Sequence, residues 1–290
     1  MAARGRRAGC GIAAMNREPL KPITQEHIDA YNRDGVVVVR GMFDRDWIEL
    51  LRPAAERVIA MDEHEKNKLR AFGNKHLWHG FPEFRTYSFE SPAAEIVGRI
   101  LQTTELRFFF DQVWAKTPHS TFKTPWHTDR MGWPVDGEMV PSFWMAISNV
   151  VKANSLECVA GSHKDATRYW NKTQNSRQMI QPADRPDFID YDQRRDDASL
   201  KFLSWDMEPG DAILIHPWCY HYSCGNPTPN WRIAVSTRWF GDDIRWNPRP
   251  ESINHPGYSF DEMVKGEKPE GPLFPVVWRD GAAATRQAAE

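Results

Sequence analysis

The stretch Gly210–Trp239, GDAILIHPWCYHYSCGNPTPNWRIAVSTRW, decides how the rest of the chain is read. Gly210-Asp211 makes a turn into an apolar run that ends at His216-Pro217, and Arg232 opens a second run that ends in Trp-Phe. Both runs are short and rich in β-branched or aromatic residues, and turn formers bound them, so both read as strands. Working outward, LRFFFDQVWAK (106–116), SFWMAISNVV (142–151), SLECVAG (155–161) and LKFLSWDM (200–207) have the same character.

The N-terminal part reads differently. Thr24 caps a helix over 24–34 that Gly35 ends, and VVVVRG (36–41) is a buried strand. Asp44 caps a longer helix over 44–65, with Trp47, Leu50, Leu51, Ala54, Val58 and Ile59 on one face. Pro53 lies inside it and predicts a kink or a later start. Ser91-Pro92 begins a third helix through 102. Helices first and strands after argue against alternating βαβ units. The expected fold is mainly β, a double-stranded β-helix (jelly roll, cupin-like) core buttressed by N-terminal α-helices.

Composition narrows the function classes. The 290 residues carry a net charge of −2, which leaves no nucleic-acid footprint, and 13 tryptophans, which suit a core or a ligand pocket. Four cysteines without a CxxC pair imply a reducing, cytoplasmic setting, and no apolar run is long enough to span a membrane. Residues 1–21 have too short an apolar middle for a secretory signal and read as a disordered leader, or as an upstream start with Met15 the true one. Residues 22–290 are expected to form one domain, with a polar excursion at 164–200 as a lid in which Tyr169, Trp170, Phe188 and Tyr191 cover a pocket.

WHTD (126–129) places a histidine and an aspartate two apart, hence on one face of a strand. Alone, the pair is most simply a solvated strand end. With His221 as a third donor it becomes two imidazoles and one carboxylate, the facial set of non-haem iron oxygenases. Arg232, 11 residues after His221, offers a fork for a carboxylate. An iron site using 2-oxoglutarate needs that combination.

WHTD, SFWMAISNV, SLECVAGSH, GDAILIHPWCYHYSCGN and WRIAVSTRW together resemble the phytanoyl-CoA dioxygenase family of Fe(II)/2-oxoglutarate oxygenases, over about residues 22–245. YNRDGVVVVRGMF resembles the family's opening helix and strand. The resemblance implies iron on His127, Asp129 and His221, with Arg232 clamping the far carboxylate of 2-oxoglutarate and Ser223 beside it. Lys116, Gln112 and Trp144 match further cosubstrate-lining positions. The family's N-G-x-L is Asn154-Ser155-Leu156 here and its P-G-S-H is Ala160-Gly161-Ser162-His163, departures that touch turns. Asp129 stands where related halogenases carry a small residue, which favours hydroxylation.

His216 competes with His221 as a ligand, and both spacing and resemblance favour His221. His163 reads as a turn residue. Trp133 and Trp170 are the tryptophans nearest a substrate pocket, with His216 beside it. Arg238 alternates in phase with Arg232 and would reach substrate or cosubstrate, or else pair with an aspartate such as Asp242. The implied cofactors are Fe(II), 2-oxoglutarate and O2, with ascorbate as a stimulant. The implied partner is a small or medium-sized metabolite, with neither nucleic acid nor membrane. A non-catalytic ligand-binding jelly roll that retains the metal site, and a zinc hydrolase, are the alternatives.

Overall fold

The computed structural model describes residues 15–61, 71–169, 186, 188–250, 252 and 259–281. The described residues form four α-helices: α1 (Gln25–Asp34), α2 (Arg45–Met61), α3 (Pro82–Glu90) and α4 (Ala93–Leu101). Thirteen strands accompany them. They are β1 (Val36–Val39), β2 (Ala71–Lys75), β3 (Glu105–Lys116), β4 (Thr124–His127), β5 (Val135–Asp136), β6 (Ser142–Ala146) and β7 (Leu156–Val159), followed by β8 (Phe202–Leu203), β9 (Ala212–Ile215), β10 (His221–Ser223), β11 (Arg232–Phe240), β12 (Arg245–Trp246) and β13 (Val276–Arg279).

A large antiparallel sheet runs β1-β9-β6-β11-β3-β13, with β2 also paired to β3, and a small one runs β4-β10-β7-β8. The two sheets make the jelly roll. The non-sequential order buries strands on both faces, and parity then sorts the side chains. On β6, β9 and β11, Phe143, Met145, Leu214, Ile233 and Val235 face the helical layer, where Trp47, Leu51, Ala54 and Val58 of α2 meet them. Trp144, Ala146, Ile213, Ile215 and Ala234 face the small sheet. The site lies on that second face.

Several expectations change. The chain is mixed α/β rather than mainly β, with helical and extended shares of 27% and 26%. The difference comes partly from α3, which starts on Pro82 at a first helical position. Pro53 lies inside α2, which runs from Arg45 to Met61. Residues 15–21, expected in the disordered leader, are packed. Met15 is buried, Trp47 Nε1 donates to the Asn16 carbonyl at 2.9 Å, and the Asn16 amide donates to Asp44 Oδ2 at 2.6 Å. Residues 1–14 lie outside the described residues.

Gly35 closes α1 in the left-handed region at φ 74°, and a Cβ there would meet His163 Nδ1 at 2.4 Å. Glycine is therefore required twice at that corner, by backbone and by packing. Among the described residues no helix is long and apolar enough to cross a membrane.

Candidate metal centre

β4 and β10 pair antiparallel with His127 directly opposite His221, which brings their rings to 4.2 Å between centroids. Asp129 follows two residues later but has left the strand. It precedes a 3-10 turn at Arg130–Gly132 with helical backbone angles. Its carboxylate is aimed by that turn and not by strand alternation, so the pleat argument reached the right residue for an incomplete reason. Asp129 Oδ1 lies 3.7 Å from His127 Nε2 and 3.9 Å from His221 Nε2. One donor atom from each of the three residues falls within 4.8 Å of the others.

The second ring nitrogens are also placed. His127 Nδ1 is 2.8 Å from the Pro125 carbonyl oxygen and His221 Nδ1 is 3.0 Å from that of Cys219. A carbonyl only accepts, so each Nδ1 carries hydrogen and each Nε2 offers its lone pair to the centre. Burial, then the neighbouring His221, lowers the His127 pKa to about 4, so this ring is neutral at pH 7. Burial pushes the Asp129 carboxyl up, but Arg238 and the two histidines outweigh it and hold its pKa at about 2. Two neutral imidazoles and one carboxylate suit a divalent metal that leaves coordination positions open.

Asp129 Oδ2 is held from behind. The Ser142 hydroxyl donates to it, and Arg238 stands 3.7 Å away. Ser142 escaped the sequence reading, although it shares the site-facing parity of Trp144 on β6.

Arg232 heads β11 and is 3% exposed. It donates to Ser223 Oγ at 2.8 Å and to the Asn154 carbonyl at 3.3 Å, and lies over the Trp144 ring at 5.4 Å. Its Nε is buried without a partner, and no carboxylate pairs with it among the described residues. A cavity lined by His127, Asp129, His221, Trp144, Ser223 and Arg232 connects this guanidinium to the three donors. A buried cation with no internal anion, one cavity away from a metal-type donor set, fits a ligand that brings its own carboxylate.

The other candidates divide. Trp144 and Ser223 line the cavity as expected, and Arg238 lines it too. Lys116 does not. Its ammonium donates to the carbonyls of Phe122 and Ser223, each at 3.0 Å, and to that of Cys224, which uses all three hydrogens on backbone. Gln112 is buried with Oε1 3.5 Å from Arg238, behind the cavity wall. Trp133 packs edge-on against Phe109 in a separate apolar cluster and not in the cavity. His216 stands apart, 3.6 Å from Glu138 and 4.7 Å from the His163 ring. Arg238 pairs with Asp129, not with Asp242. Trp170 lies outside the described residues. Tyr169, Phe188 and Tyr191 pack with Trp126, Val159 and Tyr220 on the outer face of the small sheet, opposite the histidines.

The sequence profile of the phytanoyl-CoA dioxygenase family matches residues 31–234, most of the chain and all three donors with Arg232. The chain belongs to the phytanoyl-CoA dioxygenase family. These are 2-oxoglutarate-dependent non-haem iron oxygenases. A Caenorhabditis elegans protein described as "Probable phytanoyl-CoA dioxygenase" is 27% identical over 132 residues, 43% of this chain, and the match spans only 38% of that relative's length.

Among solved structures, the non-heme alpha ketoglutarate dependent carbocyclase SnoK from nogalamycin biosynthesis superposes with a TM-score of 0.71 at 19% identity, covering 91% of this chain and 100% of its own. The epimerase SnoN, in complex with Fe3+, alpha ketoglutarate and nogalamycin RO, gives 0.69 at 19% identity, covering 88% and 98%. At such identities the likeness establishes the family's jelly-roll fold.

Proposed function

We propose that this protein is an Fe(II)- and 2-oxoglutarate-dependent dioxygenase that hydroxylates an unactivated C–H bond of a small or medium-sized metabolite, with release of succinate and carbon dioxide. The observation that carries this reading is the pairing of one converged His-Asp-His donor set with a buried arginine that has no internal anion.

His127, Asp129 and His221 hold the iron. Arg232 receives the far carboxylate of the keto acid, and Ser223 and Trp144 fix the guanidinium plane. A charge-assisted bond there contributes about 1.5–3 kcal/mol net. Iron bound at this site supplies the activation of dioxygen, coupled to oxidative decarboxylation of the keto acid. The chain's own residues do the rest. Pro125 and Cys219 carbonyls fix the histidine tautomers. Ser142 and Arg238 fix the carboxylate. The apolar side chains of Leu156 and Ile215 shield one wall of the cavity from water.

The test is anaerobic addition of Fe(II) and 2-oxoglutarate to metal-stripped protein, watching for the weak visible charge-transfer band of the chelate. The band appears in the wild type and is lost in His221→Ala and Arg232→Ala. Iron binding without a keto-acid band, or a preference for zinc, defeats the proposal.

A further inference from the structure

Lys75 ends β2, a strand the sequence reading did not find. Its Cα partner on β3 is Gln112, and directly paired residues share a face. Gln112 in turn touches Arg238 on the site side of the sheet. The Lys75 ammonium lies 5.8 Å from the centroid of the Phe110 ring, and the Arg238 guanidinium lies 4.6 Å from the same centroid. Lys75 therefore stands next to Arg238, close enough for both Arg238 and Asp129 to act on its charge.

Two lysines on this face can be compared. Lys116 gives its three hydrogens to three carbonyls. Lys75 is half-buried, yet among the described residues no carboxylate or carbonyl pairs with it. Its pKa is drawn down to about 8, mainly by burial and then by Arg238, with Asp129 opposing. A cation withdrawn from water without an acceptor is costly unless something supplies one. Arg238 cannot share its anion, because Asp129 is already held by Ser142 and offers Oδ1 to the donor set. Arg232 lies at the other end of β11, and its charge serves the keto acid in the reading above. Lys75 is the cation near the centre that no assigned group uses.

We propose that Lys75 binds an anionic group, a carboxylate or a phosphate ester, on the substrate, and so selects acidic metabolites over neutral ones. The catalytic meaning of this contact rests on the iron reading, but the binding itself does not.

The experiment keeps the two apart. Metal-free wild-type protein is reductively methylated, and modification of Lys75 is followed by peptide mass mapping. The reaction is run with 3-phenylpropanoate, phenyl phosphate, neutral 3-phenylpropanamide or 2-oxoglutarate present. Protection by the carboxylate or the phosphate, and not by the amide, is the expected result, and whichever anion protects better fixes the class. Calorimetry of the protecting anion then gives about 10- to 100-fold weaker binding to Lys75→Ala and a change of only a few-fold with Lys75→Arg.

Equal protection by the amide overturns the proposal. So does protection by none of these, or protection by 2-oxoglutarate alone, which would make Lys75 a cosubstrate residue. Because protection is read on the wild type, a variant that folds poorly does not decide the matter. Absence of the keto-acid band in the iron titration would sink the oxygenase reading and leave this result standing.

Discussion

Arg232 and Arg238 sit near the two ends of β11, on one face, 3% and 4% exposed. Their surroundings differ. Arg238 has an anion of its own chain, Asp129, and adds the Ser236 hydroxyl at 2.9 Å and Gln112. Arg232 has a hydroxyl, a carbonyl and an aromatic face, but no carboxylate among the described residues. Burial depresses the pKa of both, Arg232 to about 10, and only Arg238 is supported in return by an aspartate. A buried guanidinium with an internal counter-ion orients that counter-ion. One without it is built to receive a ligand. The two arginines thus mark the metal side and the cosubstrate side of one cavity.

Asp129→Ala breaks the contrast most severely. It removes a donor and strands Arg238 as a second unpaired buried cation, which costs on the order of 3 kcal/mol of stability. Chemical denaturation and metal analysis should show both the weaker fold and the loss of bound iron.

Arg232→Ala comes next. Keto-acid affinity should fall about 10- to 100-fold while iron affinity in the absence of keto acid stays put. Equal losses of both would mean that the two arginines are not separate in role.

Arg238→Met should do the reverse. With Asp129 less firmly oriented, iron binding weakens by about tenfold, and keto-acid binding to the iron-loaded protein changes less than in Arg232→Ala. Competition with a metal indicator reads this directly.

The smallest effect concerns Asp111, a buried carboxyl that also feels Arg238. Burial raises its pKa to about 7, against the amides of Leu77 and Trp78 and the charge of Arg238. A carboxyl whose folded pKa lies above its unfolded value favours the folded state most when protonated. Its contribution is therefore present below the unfolded pKa, near 4, and is lost as pH rises through about 7. Asp111→Asn can still accept from the Leu77 amide, which Oδ1 does at 2.6 Å. The variant should raise the melting temperature at pH 8 by about 2–4 °C, for roughly 1 kcal/mol, and flatten stability between pH 4 and 7. A fall in iron affinity as well would show that Arg238 leans on Asp111 as much as on Asp129.

The strands around the site and the donors themselves were legible because each rests on local pattern. The β-branched runs flanked by turn residues gave β3, β6, β9 and β11. A histidine, a carboxylate and an arginine at characteristic separations gave His127, Asp129, His221 and Arg232. The Gly35 stop and the amphipathic face of α2 were equally local.

Other features had no local signal. Lys116 and Lys75 look alike as letters. Which one spends its hydrogens on carbonyls depends on the turn at 223–224 folding back over β3, a contact between residues more than a hundred positions apart. Trp133 and Trp144 are both aromatic residues near the metal motif, but only the pairing order of the large sheet sends one to the cavity and the other to a separate core. The sequence by itself determined the kinds of groups present and the donor set they could make. The tertiary structure decided which charges are neutralised within the chain and which are left for ligands. Charge pairing is settled by distances of a few ångströms across strands, and that geometry exists only after the two sheets have closed on each other.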